Sequence, residues 1–110
     1  MSLSRLQKYA LLFMAERYKK NARERVTFSA LRSYATQRYQ KDYQRTFRDD
    51  NFSMTLRRLV DRGMLLQYPA GARVRARAVT FQLTPEGIIE AFNLLEQDSK
   101  ERLRRGSYKL

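Results

Sequence analysis

The sequence predicts a mainly helical α+β domain, and three patterns predict it. Apolar residues recur at three- and four-residue intervals in four separate stretches, the signature of amphipathic helices. Between the third and fourth stretches the period changes to two, on either side of the turn residues Pro69-Ala70-Gly71-Ala72, as in a β-hairpin. Only two prolines and four glycines occur, and they fall at useful places such as the ends of these stretches. A chain of 110 residues with 43% apolar residues has room for one core and the composition to fill it.

The first helix is expected over residues 3–20, capped by Ser2 or Ser4. Leu3, Leu6, Ala10, Phe13 and Met14 make its stripe, and Tyr9, Leu12 and Tyr18 widen it. A polar loop, Lys20 to Arg25, leads to Val26, which reads as a short edge strand. Thr27 is a good N-cap for a second helix at about 28–39, with Phe28, Leu31, Tyr34 and Ala35 inward and Arg32 and Arg38 facing elsewhere. Gln40 to Asp50 is polar and charged, and either extends that helix or forms an extra turn.

A third helix is expected to start near Asn51 or Ser53, one of which would cap it. Phe52, Leu56, Leu59 and Val60 form its buried stripe, and Gly63 stands where a left-handed residue ends a helix. Met64 to Tyr68 then reads as one strand of the hairpin and Arg73 to Leu83 as the other. On that second strand Arg73, Arg75 and Arg77 share a face with Val79, Phe81 and Leu83, which gives a cationic tip above an apolar base. Thr84-Pro85-Glu86 is a strong helix start, with a cap, a proline at the first position and an acid at the positive end of the dipole. Ile88, Ile89, Phe92 and Leu95 carry the fourth helix to about Gln97. The expected organisation is one domain over 1–98 and a polar, basic tail over 99–110.

Charge narrows the function. Lys and Arg number 23 against 11 Asp and Glu, a net charge of +12. Such a surplus repels itself unless it meets a polyanion, and nucleic acid is the commonest one. All of the surplus lies in residues 1–84, because residues 85–110 hold five bases and five acids. The chain has no Cys and no His, which removes disulfides, thiol chemistry, the usual transition-metal ligands and the commonest general base. Asp49-Asp50 reads as an acidic pair in a polar loop with no basic or metal-ligand framework around it, and there is no glycine-rich phosphate loop. These features argue against an enzyme and call for no cofactor. No apolar run approaches the roughly 20 residues of a membrane span, and the N-terminus opens into an amphipathic segment rather than a signal peptide, so a cytoplasmic, nucleoid-associated location is the expectation.

The run Phe52-Ser-Met-Thr-Leu-Arg-Arg-Leu-Val-Asp-Arg-Gly-Met-Leu resembles the recognition helix and wing entry of a winged helix-turn-helix DNA-binding domain. Phe81-Gln-Leu-Thr-Pro-Glu-Gly is similar to the wing exit of MarR- and PadR-type transcriptional regulators. The resemblance covers roughly residues 3–97. It implies a three-helix core, a β-hairpin wing at about 65–83 and a terminal helix at about 85–97. The helix at 53–62 would enter the major groove, and the wing would touch phosphates or a minor groove. Asn51, Ser53, Met54, Arg57 and Arg58 would then stand near base edges. The stretch from Gln40 to Asp50 is longer than a usual helix-turn-helix turn, and no effector pocket or redox cysteine is identifiable, so ligand control is not implied.

Each candidate has a plainer alternative. Arg57 and Arg58 can grip guanine bidentately or merely touch phosphate. Asn51 and Ser53 can contact DNA or cap the helix. Arg73, Arg75 and Arg77 fit a nucleic-acid contact, with Arg32 as a further cation, or a solvated edge that blocks aggregation. Tyr34, Tyr39, Tyr43 and Phe47, set among basic residues, can stack on bases or pack a core, and the core is favoured. The expected function is double-stranded DNA binding, by a regulator or an architectural protein. The alternatives are an RNA-binding component and a protein-interaction module of a replication or transcription assembly. The neutral last helix could pack on the first helix within the chain or across a two-fold homodimer.

Overall fold

Ser4 closes the start of the first helix, α1 (Arg5–Lys20). Its hydroxyl accepts the Gln7 N–H at 3.2 Å, and the Gln7 side chain accepts the Ser4 N–H at 2.8 Å. This reciprocal pair satisfies two backbone donors that a bare helix end would leave open. The computed structural model of the chain describes residues 2–107, with side chains through Arg104. The predicted tail residues 108–110 lie outside the described residues. The elements that follow are β1 (Val26–Thr27), α2 (Phe28–Tyr43), α3 (Asp49–Asp61), β2 (Leu65–Tyr68), β3 (Thr80–Leu83) and α4 (Pro85–Ser107). The fold is α+β, with four helices and one small antiparallel sheet, as the patterning predicts.

α1 packs against α2, α3 and α4 and is the helix around which the others gather. Tyr9, Leu11, Leu31, Phe52, Leu56, Leu59, Leu65, Val79 and Phe81 are the largest fully buried side chains. They come from α1, α2, α3, the sheet and the residue before β3, and Ala91 and Leu94 of α4 join the same core. The predicted inward positions Phe28, Ala35 and Met14 are buried with them.

The sheet order is β1-β3-β2, both pairs antiparallel, with Val26 opposite Phe81 and Leu65 opposite Leu83. The two hydrophobic ends of the sequence pattern therefore share one face. Thr27 caps α2 through the Ala30 N–H at 3.1 Å. Gly63 adopts the expected positive φ of 76°, and the Met64 N–H reaches back to the Leu59 carbonyl at 2.9 Å to close α3.

The junction between the sheet and α4 is tighter than its residues announce. The Thr84 hydroxyl accepts the Gly87 N–H at 2.9 Å and donates to the Gly63 carbonyl. The Thr84 N–H donates to the Met64 carbonyl at 3.1 Å. A Cβ on Gly87 would lie 1.9 Å from that same Met64 oxygen. Gly87 is thus required by close approach, and the Thr-Pro-Glu-Gly run is a packing joint as well as a helix start.

Several helix boundaries differ from the sequence reading. α2 continues past Tyr39 to Tyr43, because Tyr39 and Tyr43 pack their rings at 4.8 Å and Tyr39 meets Phe47 edge-on at 5.5 Å. It ends at Gln44 in the left-handed conformation, φ 57°. α3 begins at Asp49 rather than near Asn51 or Ser53, and its N-cap Arg48 makes no side-chain cap bond. α4 runs past Gln97 into the polar, basic segment and reaches Ser107, so that segment continues the helix.

The largest correction concerns the second hairpin strand. Only Thr80–Leu83 is strand, and residues 73–79 form two successive turns, with the Ala76 N–H on the Arg73 carbonyl at 3.0 Å and the Val79 N–H on the Ala76 carbonyl at 3.1 Å. Pairing stops at Tyr68 opposite Thr80 because β2 meets Pro69, which has no N–H to continue the ladder. Arg73, Arg75 and Arg77 therefore do not alternate on a strand face.

Candidate nucleic-acid interface

The connection from Pro69 to Val79 projects from the sheet but is anchored at intervals. The Gln67 side chain donates to the Ala72 carbonyl at 2.5 Å and to the Pro69 carbonyl at 3.2 Å, which braces the first turn. Gly71 supplies the positive φ of 82° that this turn needs. Val74 and Val79 are buried. With these two valines drawn inward, Arg75 and Arg77 between them and Arg73 just before them are left exposed.

α3 carries the other group of candidate residues. Phe52, Thr55, Leu56 and Leu59 take its inner face, so helical spacing turns Asp50, Met54, Arg57, Arg58 and Asp61 to solvent. Met54 is 53% exposed, a large apolar side chain held among charges. Among the described residues Arg57, Arg58, Arg73 and Arg77 have no ion-pair partner.

Two carboxylates hold these pieces together. Asp50 accepts Arg75 from the connection at 2.8 Å and Arg48 at 3.4 Å. Asp49 accepts Arg32 from α2 at 3.1 Å. Asp49 and Asp50 are thus the first turn of α3 with a basic framework around them, which corrects the reading of a lone acidic pair in a loop. Acids in a first turn oppose the positive end of the helix dipole, and that rule applied at Asp49 marks the helix start in the sequence.

The predicted capping alternatives also resolve differently. Ser53 donates its hydroxyl to the Asp49 carbonyl at 3.0 Å, and Asn51 is exposed, its carbonyl accepting from the Thr55 hydroxyl at 2.8 Å. Neither caps α3. Arg32, Asn51, Met54, Arg57, Arg58, Arg73, Arg75 and Arg77 are all exposed, and Ser53 is half-buried. The contacts of Arg75 and Arg32 bring the connection and α2 to the start of α3. Arg57 and Arg58 stand further along that helix.

Other basic side chains serve the fold. Arg38 lies against the rings of Tyr9 and Tyr34 at 5.1 and 5.8 Å and donates to the Tyr34 hydroxyl at 2.8 Å and to Asp98 of α4 at 3.3 Å. Burial pulls its guanidinium down, but Tyr34 and Asp98 outweigh burial and hold it above its ordinary value. Arg17 grips Glu24 with two nitrogens, and the hydrogen bond from Arg17 holds the Glu24 carboxyl below the usual carboxylate range. Burial first, and the Asp42 carboxylate second, push the Tyr9 hydroxyl up. The aromatic residues of α2 and the linker after it mostly pack against the core: Phe47 of the linker packs on Phe52 of α3, and Phe52 on Phe28 of α2, at 5.5 and 5.6 Å. Tyr43 alone of that set is exposed, with Arg5 over its ring at 5.9 Å.

Among the described residues no group of three or more acidic, His or Cys side chains is placed to hold a metal ion, and no helix is long and apolar enough to cross a membrane. Comparison with protein-family models, curated proteins and solved structures gives no match.

Proposed function

We propose that the protein is a winged helix-turn-helix module that binds double-stranded DNA, as a transcriptional regulator or an architectural protein. In this reading α3 is the recognition helix in the major groove, and the connection between β2 and β3 is the wing on the backbone or in the adjoining minor groove. The order of elements and the antiparallel sheet support the fold assignment.

The observation that carries the function is the joining of two arginine-bearing surfaces. Arg57 and Arg58 on α3 and Arg73 and Arg77 on the wing are exposed and without acidic partners among the described residues, and the Arg75–Asp50 contact ties the two elements together. Arg57 or Arg58 can reach guanine O6 and N7 with its planar fork, while the wing arginines neutralise phosphate. Asp49 and Asp50 sit where a phosphate would otherwise dock on a helix N-terminus, and they disfavour that docking mode.

The test is fluorescence anisotropy with a labelled duplex across a salt series, with random duplex and structured RNA as competitors. Each phosphate neutralised steepens the log–log salt slope by roughly 0.9. Arg73→Ala and Arg77→Ala should each weaken binding to all duplexes and flatten that slope. Arg57→Ala and Arg58→Ala should also reduce discrimination among duplexes if α3 reads bases. RNA prevailing in competition would replace DNA by RNA as the ligand. No binding at low salt would overturn the reading and leave a protein-interaction module.

A further inference from the structure

The polar loop from Lys20 to Arg25 takes no part in the interface described above, yet it is fastened to the sheet. Val26, Leu65, Phe81 and Leu83 turn into the core, so alternation turns Leu66, Tyr68, Thr80 and Gln82 to the other face. That face is open: Leu66 on β2 is 46% exposed. One chain of contacts crosses it. The Gln82 amide donates to the Arg23 carbonyl at 3.3 Å, and the Tyr68 hydroxyl donates to the Gln82 side-chain oxygen at 3.2 Å. The Arg25 guanidinium lies over the Tyr68 ring, 3.9 Å from its centre.

These contacts lie outside the core, since Arg25 is exposed and Tyr68 half-buried. Their effect is to hold a guanidinium in place at the foot of the β2–β3 connection, because Tyr68 is the residue before Pro69. An arginine that is already ordered loses less side-chain freedom when it binds. Charge indicates what it would bind. Lys19, Lys20, Arg23 and Arg25 are all exposed, and among the described residues none of them makes an ion pair. The one acid of the loop, Glu24, is taken by Arg17. The outward residues of the strands include no acid. Neighbouring cations with no acid among them are complementary to a polyanion.

We propose that the outer face of the sheet continues the wing as a phosphate-contacting surface, with Arg25 as its fixed contact and Tyr68 as the residue that positions it. The ligand is the sugar–phosphate backbone of the duplex that α3 and the wing engage, so this inference rests on the duplex-binding reading. The guanidinium keeps one face on the ring and presents its N–H edge to a phosphate oxygen. Arg23, Lys19 and Lys20 add charge beside it without a fixed geometry.

Four single variants test this by anisotropy with a labelled duplex across a salt series. Arg25→Ala should weaken binding about fivefold at low salt, the worth of one close opposite charge in water, and flatten the log–log slope by roughly 0.9. Tyr68→Leu keeps the charge and should weaken binding by a smaller factor with the slope unchanged, and Tyr68→Phe, which keeps the ring, should recover most of that loss. Added to Arg25→Ala, Tyr68→Leu should weaken binding no further, because it acts through Arg25. Lys100→Ala removes the same charge from α4 and should leave the slope unchanged. An equal fall in Lys100→Ala and Arg25→Ala would show that net charge alone matters and would overturn the contact. A further loss from Tyr68→Leu in the absence of Arg25 would overturn the positioning role. Unchanged affinity and slope in Arg25→Ala, on a duplex that the unaltered chain binds, would overturn this inference and leave the proposed function standing. No duplex binding by the unaltered chain would end both.

Discussion

The Arg75 guanidinium lies 2.8 Å from the Asp50 carboxylate, joining the β2–β3 connection to the first turn of α3 across 25 positions of sequence. Both side chains are about half exposed or more, at 48% and 63%, so water screens the pair. Its worth to stability is below about 1 kcal/mol. Its consequence is positional: Asp50 holds Arg75 beside α3, and in the proposed DNA-binding mode it also places a negative charge where a phosphate would approach.

Replacing that charge separates the two effects. Asp50→Asn should leave the melting temperature nearly unchanged and raise affinity for any duplex about two- to fourfold at low salt, the worth of one removed like charge at close range in water. The gain should shrink as salt is added. Anisotropy titrations at two ionic strengths check this. Weaker binding by Asp50→Asn would show instead that its main contribution is to position Arg75.

The joint at Gly87 makes a sharper prediction. Gly87→Ala drives a methyl group into the Met64 carbonyl, a backbone atom that cannot swing aside. The cost should be about 3 kcal/mol or more, the upper end of what overpacking usually imposes. Thr84→Ala, which loses the cap and the bond to Gly63, should cost about 1 to 2 kcal/mol. Urea denaturation of both variants measures the two values against each other.

Phe52 shows how much of the fold rests on one side chain. It is fully buried on α3, and it meets both Phe28 of α2 and Phe47 of the linker. Phe52→Ala should lose about 3 to 5 kcal/mol. It should also loosen the Gln44 to Arg48 linker, readable as faster amide exchange there than in α1.

Glu24 sets part of the acid limit of stability. Its carboxyl is held low in the folded chain by Arg17. A group with a depressed folded pKa stabilises above its unfolded value and loses that contribution as pH falls through the folded one. Melting temperature should therefore fall from about pH 5 downward, and Glu24→Gln should flatten that fall. Tyr9 acts at the other end. Its raised hydroxyl pKa means that ionisation favours the unfolded chain, so stability should decline above about pH 10, and less so in Tyr9→Phe.

Much of this architecture is local, and local features are legible in a sequence. Ser4 and Thr27 cap helices through bonds three residues away, Gly63 turns left-handed at a helix end, and Thr84-Pro85 starts a helix, all as their residue types predict. Phe52, Leu56 and Leu59 of α3 are buried as their spacing predicts, whereas in α1 Leu11 and Ala15, outside the predicted stripe, are fully buried and Leu3, Leu6 and Phe13 only partly. The candidate arginines were legible as exposed cations for the same reason, since charge is costly to bury.

What escaped the sequence depends on partners far along the chain. Alternation in Arg73 to Leu83 satisfies a strand pattern, but a strand needs a neighbour, and β2 has none to offer beyond Tyr68. Asp49 and Asp50 seem idle until folding brings Arg32 and Arg75 to them. Gly87 is a helix residue like any other until Met64 approaches it. By itself the sequence determined that there are four helices, roughly where each lies and where the positive charge lies, because these follow from spacing and composition. Only the tertiary structure decided where the strands stop, which acids hold which arginines and which apolar residues remain uncovered, because each of those is a contact between segments that sequence distance keeps apart.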